Sequence, residues 1–129
     1  MTKTNIPKIL VVDDDPDIVS LLSIQLKKKG YQVIEAQNGA EALVLVQKEK
    51  PDLIILDVMM PEKNGWEVAR EVRRDPGFSS TKILMLTGIG DHLNELTSPL
   101  YGASDYLNKP FHVEHLERKV AELVGIPRF

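Results

Sequence analysis

The sequence predicts an α/β domain built on a parallel sheet with helices on both faces. Five short apolar runs recur at fairly even spacing, over residues 8–12, 32–36, 53–56, 82–86 and 105–107. The first, third and fourth are rich in Ile, Leu and Val without alternation, as strands buried on both faces are. Between the runs lie helical patterns with their own start and stop signals, and alternating β and α units imply parallel strands joined by right-handed crossovers. The second and fifth runs are shorter or more polar, which suits strands near the sheet edges.

Each helix carries its own punctuation. Asp15 is placed to cap the first, with Pro16 at its first position and Asp17 in its first turn. Ile18, Leu21, Leu22 and Leu26 are expected on its buried face, and Lys27, Lys28 and Lys29 before Gly30 form a cationic end with a left-handed stop. Asn38 with Glu41 has capping-box spacing for the second helix, which ends by Pro51. Asn64 and Glu67 repeat that spacing for the third, which stops near Asp75, Pro76 and Gly77. A fourth helix is expected within residues 91–101, short or bent, because Ser98-Pro99 lies inside it and an interior proline costs about 3 kcal/mol. The last helix aligns Val113, Leu116, Val120 and Leu123 on one stripe and stops at Gly125.

Composition narrows the function classes. The 129 residues suit one domain, with a core over about 8–124 and short tails, and the formal net charge is −3. An acidic chain without a basic stripe is expected to have no direct nucleic-acid partner. Cysteine is absent, which excludes disulfides and thiolate metal sites. No apolar run reaches the roughly 20 residues that span a bilayer, and residues 1–7 lack a secretory core, so the expected location is the cytoplasm, with no membrane partner.

In open parallel sheets ligands bind at the carboxyl ends of the strands. There the first strand runs into Asp13, Asp14 and Asp15, the third ends at Asp57, the fourth at Thr87, and the fifth at Asn108, Lys109 and Pro110. Clustered carboxylates repel unless a cation or proton offsets them, and hard oxygen donors suit Mg²⁺. Lys109 adds a positive charge and Thr87 a hydroxyl donor, a set able to neutralise a phosphoryl group in transit. Asp57 is the candidate nucleophile, since a carboxylate can form an aspartyl-phosphate.

These stretches resemble the response-regulator receiver family of two-component signalling. The resemblance rests on Ile9 to Asp15, on Asp57-Val58-Met59-Met60-Pro61 with Gly65, on Thr87, and on Gly102 to Phe111. It implies a flavodoxin-like sheet of order 2-1-3-4-5 flanked by five helices. It also implies phosphorylation of Asp57 by a histidine kinase or phosphotransfer protein, with Mg²⁺, or Mn²⁺, held by Asp13, Asp14, Asp57 and the Met59 backbone carbonyl. Asp14 would ligate directly and Asp13 mainly through water. Thr87 and Lys109 are the implied hydroxyl and lysine of the reaction, and Thr87 and Tyr106 the switch pair. Lys109–Pro110 is expected to be cis. The surface of the fourth helix, fifth strand and last helix would then change and be read by a downstream protein or a second copy of the chain. Met59 and Ile89, both apolar, occupy positions that orient the attacking water in receivers, so slow self-dephosphorylation is expected. The chain would therefore be no enzyme beyond self-phosphorylation and its slow reversal.

Blander readings stand beside these. Asp15 and Asp17 are simple helix-capping residues. The run from Asp13 mimics an EF-hand loop, but Ile18 stands where its turn glycine belongs and Ile24 where its closing glutamate belongs. Tyr106 and Trp66 can be ordinary packing residues, and Arg70, Arg73 and Arg74 a solvated cationic helix end. His92, His112 and His115 lack a third ligand partner. Three other functions compete: an aspartyl-phosphate phosphatase, a flavin domain whose phosphate three aspartates would repel, and an unphosphorylated scaffold. With Phe129 soon after the last helix, the chain reads as a stand-alone switch or as a piece of a larger regulator.

Overall fold

A computed structural model describes residues 6–88 and 102–128. Five strands form one sheet: β1 (Lys8–Val12), β2 (Gln32–Ala36), β3 (Leu53–Asp57), β4 (Lys82–Thr87) and β5 (Asp105–Asn108). They pair in the order β2-β1-β3-β4-β5, all parallel. The predicted order and edge positions are therefore observed. Among the described residues the helices are α1 (Pro16–Lys28), α2 (Gly39–Glu49), α3 (Gly65–Arg74) and α4 (Val113–Val124), with a 3₁₀ turn at Pro76–Phe78. The helix expected within 91–101, with its Ser98-Pro99 pair, lies outside the described residues.

Strand alternation sends successive side chains to opposite faces, so the sheet carries two cores. On one face Leu10, Val12, Ile54, Leu56, Ile83 and Met85 pack against Ala42 and Val46 of α2 and Val68, Ala69 and Val72 of α3. On the other, Ile9, Val11, Leu53, Ile55, Leu84 and Leu86 pack against Val19, Leu22 and Leu26 of α1 and Leu116 and Val120 of α4. Truncating one of the fully buried leucines to alanine costs about 2–5 kcal/mol.

The caps explain where the helices start and stop. Asp15 accepts from the Asp17 N–H at 2.9 Å, with Pro16 at the first helical position. Asn38 accepts from Glu41 N–H at 2.8 Å, and Lys50, in the left-handed region at φ 49°, closes α2 ahead of Pro51. Asn64 and Glu67 form a complete capping box. Gly30, at φ 98°, supplies the left-handed turn after α1.

Two expectations about side-chain placement need correction. The buried face of α1 is Val19, Leu22, Ser23 and Leu26, while Leu21 is exposed and Ile18 only half-buried. Leu22 and Leu26 lie in the core as read and Ile18 packs at its edge, while Val19 and Ser23 take the place expected of Leu21. Arg73 is no solvated helix end: its guanidinium donates to the Gly102 carbonyl at 2.8 Å and the Phe78 carbonyl at 2.8 Å. Its burial pulls its pKa below the usual arginine value. No helix among the described residues is long and apolar enough to cross a membrane.

Candidate functional site

Parallel pairing brings the carboxyl ends of β1, β3, β4 and β5 to one edge, as the strand-end argument requires. Register sets Val12 beside Leu56, Asp57 beside Leu86, and Thr87 beside Asn108. Asp13 follows β1, Asp57 closes β3, and Lys109 follows β5. Ligand oxygens of Asp13, Asp14 and Asp57 lie within 4.8 Å of one another. Asp13 and Asp57 are buried, and Asp14 faces solvent. Lys109 Nζ spans the two buried carboxylates, 3.0 Å from Asp57 Oδ1 and 3.3 Å from Asp13 Oδ2. The Lys109–Pro110 bond is cis.

The backbone around Asp57 is tightly held. Val58 N–H donates to the Leu86 carbonyl at 3.0 Å and Gly65 N–H to the Val58 carbonyl at 2.9 Å. A Cβ on Gly65 would run into the Asp57 carbonyl, so only glycine lets the start of α3 close over the end of β3. Trp66 packs on the core beside it, as expected of a packing residue.

Burial dominates the electrostatics. It lifts the Asp57 carboxyl to about 6, with Lys109 opposing and the neighbouring Asp13 and Asp14 charges adding to the rise. Burial also raises Asp13, against the Asp15 N–H that donates to it and the Lys109 charge. Burial alone would lower Lys109, but Asp57 and Asp13 outweigh it and raise the ammonium's pKa. Two desolvated carboxylates share one ammonium, so the cluster can accept further positive charge. Its oxygen-only donors fit a small hard divalent ion rather than a soft metal. These three aspartates can therefore hold a metal ion.

Thr87 is fully buried, and its hydroxyl donates to Asn108 Oδ1 at 2.6 Å. Tyr106 is half-buried and packs against the α2/α3 core. Met59, two residues past Asp57, is 66 % exposed. Ile89, expected beside Met59 at the water path, and His92 lie outside the described residues. His112 and His115 are exposed and join no carboxylate group able to hold a metal among the described residues. Asn108 was named at the end of the fifth strand but given no role; its signal, an amide opposite a buried threonine, is legible only once the register is known.

Fold and strand-end chemistry together define a doubly wound parallel α/β domain with an acidic cluster at its strand ends. The family model for the response regulator receiver domain matches residues 9–121, and the chain belongs to that family. The chain is 41 % identical over 118 residues to the "DNA-binding dual master transcriptional regulator RpaA" of Synechocystis sp., covering 92 % of this chain and 49 % of the relative. It is 42 % identical over 117 residues to the "Alkaline phosphatase synthesis transcriptional regulatory protein PhoP" of Bacillus subtilis, covering 91 % and 48 %. The chemotaxis response regulator CheY4 of Vibrio cholerae superposes with a TM-score of 0.87 at 36 % identity, over 92 % of this chain and 99 % of that one. The chain spans about half the length of the curated relatives it matches.

Receivers of this kind are regulatory parts of two-component signal transduction, with phosphorylation and Mg²⁺ as general family features. The expectation of no direct nucleic-acid partner is overturned by the relatives, one of which is named as DNA-binding. Its premise was a net charge counted over these residues alone, and such a count does not exclude a role in DNA-binding regulation.

Proposed function

We propose that this chain is a single receiver domain whose phosphoacceptor is Asp57, charged by a histidine kinase or phosphotransfer protein in the cytoplasm. The observation that carries this reading is the placement of one buried carboxylate, Asp57, within 4.8 Å of two others and 3.0 Å from the Lys109 ammonium. An Asp57 oxygen attacks the donor phosphorus, the new O–P bond forms, and the donor's P–N bond breaks, leaving neutral histidine once a proton is taken up. Lys109, already on Asp57 Oδ1, keeps its charge beside the phosphoryl oxygens as they pass. Asp13, Asp14, Asp57 and the Met59 carbonyl would hold Mg²⁺, or Mn²⁺, which when bound supplies charge neutralisation for the transfer.

Thr87 then turns its hydroxyl to the phosphoryl group and Tyr106 repacks behind it, a population shift between two packings. The surface that includes β5 and α4 changes and is read by a downstream protein or by a second copy of the chain. The output is control of DNA-binding regulation, in keeping with the names of the relatives. The exposed thioether of Met59 cannot orient an attacking water by hydrogen bonding, so the phosphoryl group is long-lived.

Intact mass after incubation with Mg²⁺ and acetyl phosphate tests the reading. One phosphoryl adduct is expected on the wild type and none on Asp57→Ala or with EDTA. Absence of an adduct under all conditions would leave the scaffold reading in its place.

A further inference from the structure

Thr87 has one proton to donate, and it is already engaged. Its fully buried hydroxyl donates to Asn108 Oδ1 at 2.6 Å, across the strand pair in which Thr87 and Asn108 are register partners. The Lys109 N–H donates to the Thr87 carbonyl at 2.6 Å, so Asn108 is held at a fixed height beside Thr87. Along β4, Thr87 follows Ile83 and Met85 by alternation on the α2/α3 face. Along β5, Asn108 follows Tyr106 on that same face, and Tyr106 packs against that core. The amide is therefore the cross-strand neighbour of the hydroxyl that would meet a phosphoryl group, two residues along the same face from the aromatic that would repack.

We propose that Asn108 is a positioning residue, a latch that holds the Thr87 hydroxyl away from the phosphoryl site and so sets how readily the switch is thrown. The inference rests on the phosphoacceptor reading of Asp57 and deepens it. Thr87 cannot donate to Asn108 and to a phosphoryl oxygen at once, so the two acceptors compete for one proton. The contest is reversible because Asn108 is exposed. When the hydroxyl leaves, water takes its place on Oδ1, and the exchange costs only the modest net worth of a neutral hydrogen bond. The charged phosphoryl oxygen is the stronger acceptor and wins. A residue at 108 without an acceptor would leave Thr87 free before the phosphoryl group arrives, and binding would no longer have to break the latch.

The test is a titration of the full chain with beryllofluoride, a phosphoryl analogue, in Mg²⁺, with bound fluoride counted by ¹⁹F NMR. Wild type, Asn108→Ala, Asn108→Val, Thr87→Val and the Thr87→Val/Asn108→Ala double variant are compared. Asn108→Val keeps good strand propensity should alanine loosen the end of β5. Both single Asn108 variants are expected to bind the analogue roughly 2- to 10-fold more tightly. In the Thr87→Val background the same Asn108→Ala change is expected to do nothing, since the hydroxyl it releases is gone. Unchanged midpoints in both Asn108 variants, in a wild type that takes a phosphoryl adduct from acetyl phosphate, would overturn the latch alone. An equal tightening in the Thr87→Val background would also overturn it, because the effect would not run through the hydroxyl. A wild type that takes neither adduct nor analogue would remove the phosphoacceptor reading and the latch with it.

Discussion

Lys109 Nζ sits 3.0 Å from Asp57 Oδ1, so this ammonium is already engaged with the carboxylate proposed to react. Its removal leaves two buried carboxylates facing each other. Lys109→Met is expected to cost about 1–3 kcal/mol of metal-free stability at pH 7, less than a fully buried pair because the ammonium is partly exposed. At pH 4.5, where Asp57 is protonated, the loss should shrink. Urea melts in EDTA at both pH values measure this, and equal losses would show that Lys109 stabilises by packing alone.

The Asp57 carboxyl, lifted to about 6 by burial, gives a second expectation. Its folded pKa lies above the unfolded carboxylate value of about 3.9, so the folded state holds the proton more tightly. Its contribution to stability is full below about 3.9 and is lost as pH rises through about 6. Asp57→Asn removes the buried charge and should raise metal-free stability at pH 7.5 by on the order of 2 kcal/mol. The gain should fade toward pH 4, where wild-type Asp57 is itself neutral. Thermal melts across that range decide it, and a gain independent of pH would assign the effect to something other than titration.

Added MgCl₂ should raise the melting temperature of the wild type at pH 7.5, by an amount growing as RT ln(1 + [L]/Kd). The rise should be small at pH 5, where protons compete for the same oxygens. Asp13→Asn and Asp14→Asn should each blunt it. A rise that both variants retain would place the ion elsewhere.

Ser23 Oγ is buried in α1 with no hydrogen-bond partner. Alanine there removes an orphaned hydroxyl and is the better helix former. Ser23→Ala is expected to stabilise the fold by about 1 kcal/mol in chemical denaturation. A loss of stability would mean that the hydroxyl makes a bond in solution.

Much of this architecture was legible because several physical signals agree at each element. Ile54, Ile55 and Leu56 have no polar alternation, as in a strand covered on both faces. Asn64 with Glu67 marks a helix start by local chemistry that needs no tertiary context. The site was legible for a related reason: parallel pairing carries Asp13, Asp57, Thr87 and Lys109 to one edge whatever their separation in sequence.

What escaped was what depends on packing. On α1 Leu22 and Leu26 are buried as their hydropathy suggests, but the apolar Leu21 and Ile24 face solvent while the polar Ser23 is buried, so hydropathy alone misplaces one side of the face. Arg73 looks like any cation in a last helical turn until the chain returns at Gly102, twenty-nine residues later, with a carbonyl to bind. Asn108 has meaning only opposite Thr87. Net charge was the weakest guide, since it misjudged the nucleic-acid relationship of a chain that matches only half of its relatives' length.

The hydroxyl of Tyr31, just past α1, donates to the carbonyl of Gly125, just past α4, at 2.7 Å. This bond joins two positions ninety-four residues apart at the sheet end opposite the acidic cluster. Tyr31 therefore ties the C-terminal end of α4 to the corner between α1 and β2. The last helix is thus fastened at that end by a bond between Tyr31 and Gly125, neither of which belongs to β5 or to the acidic cluster.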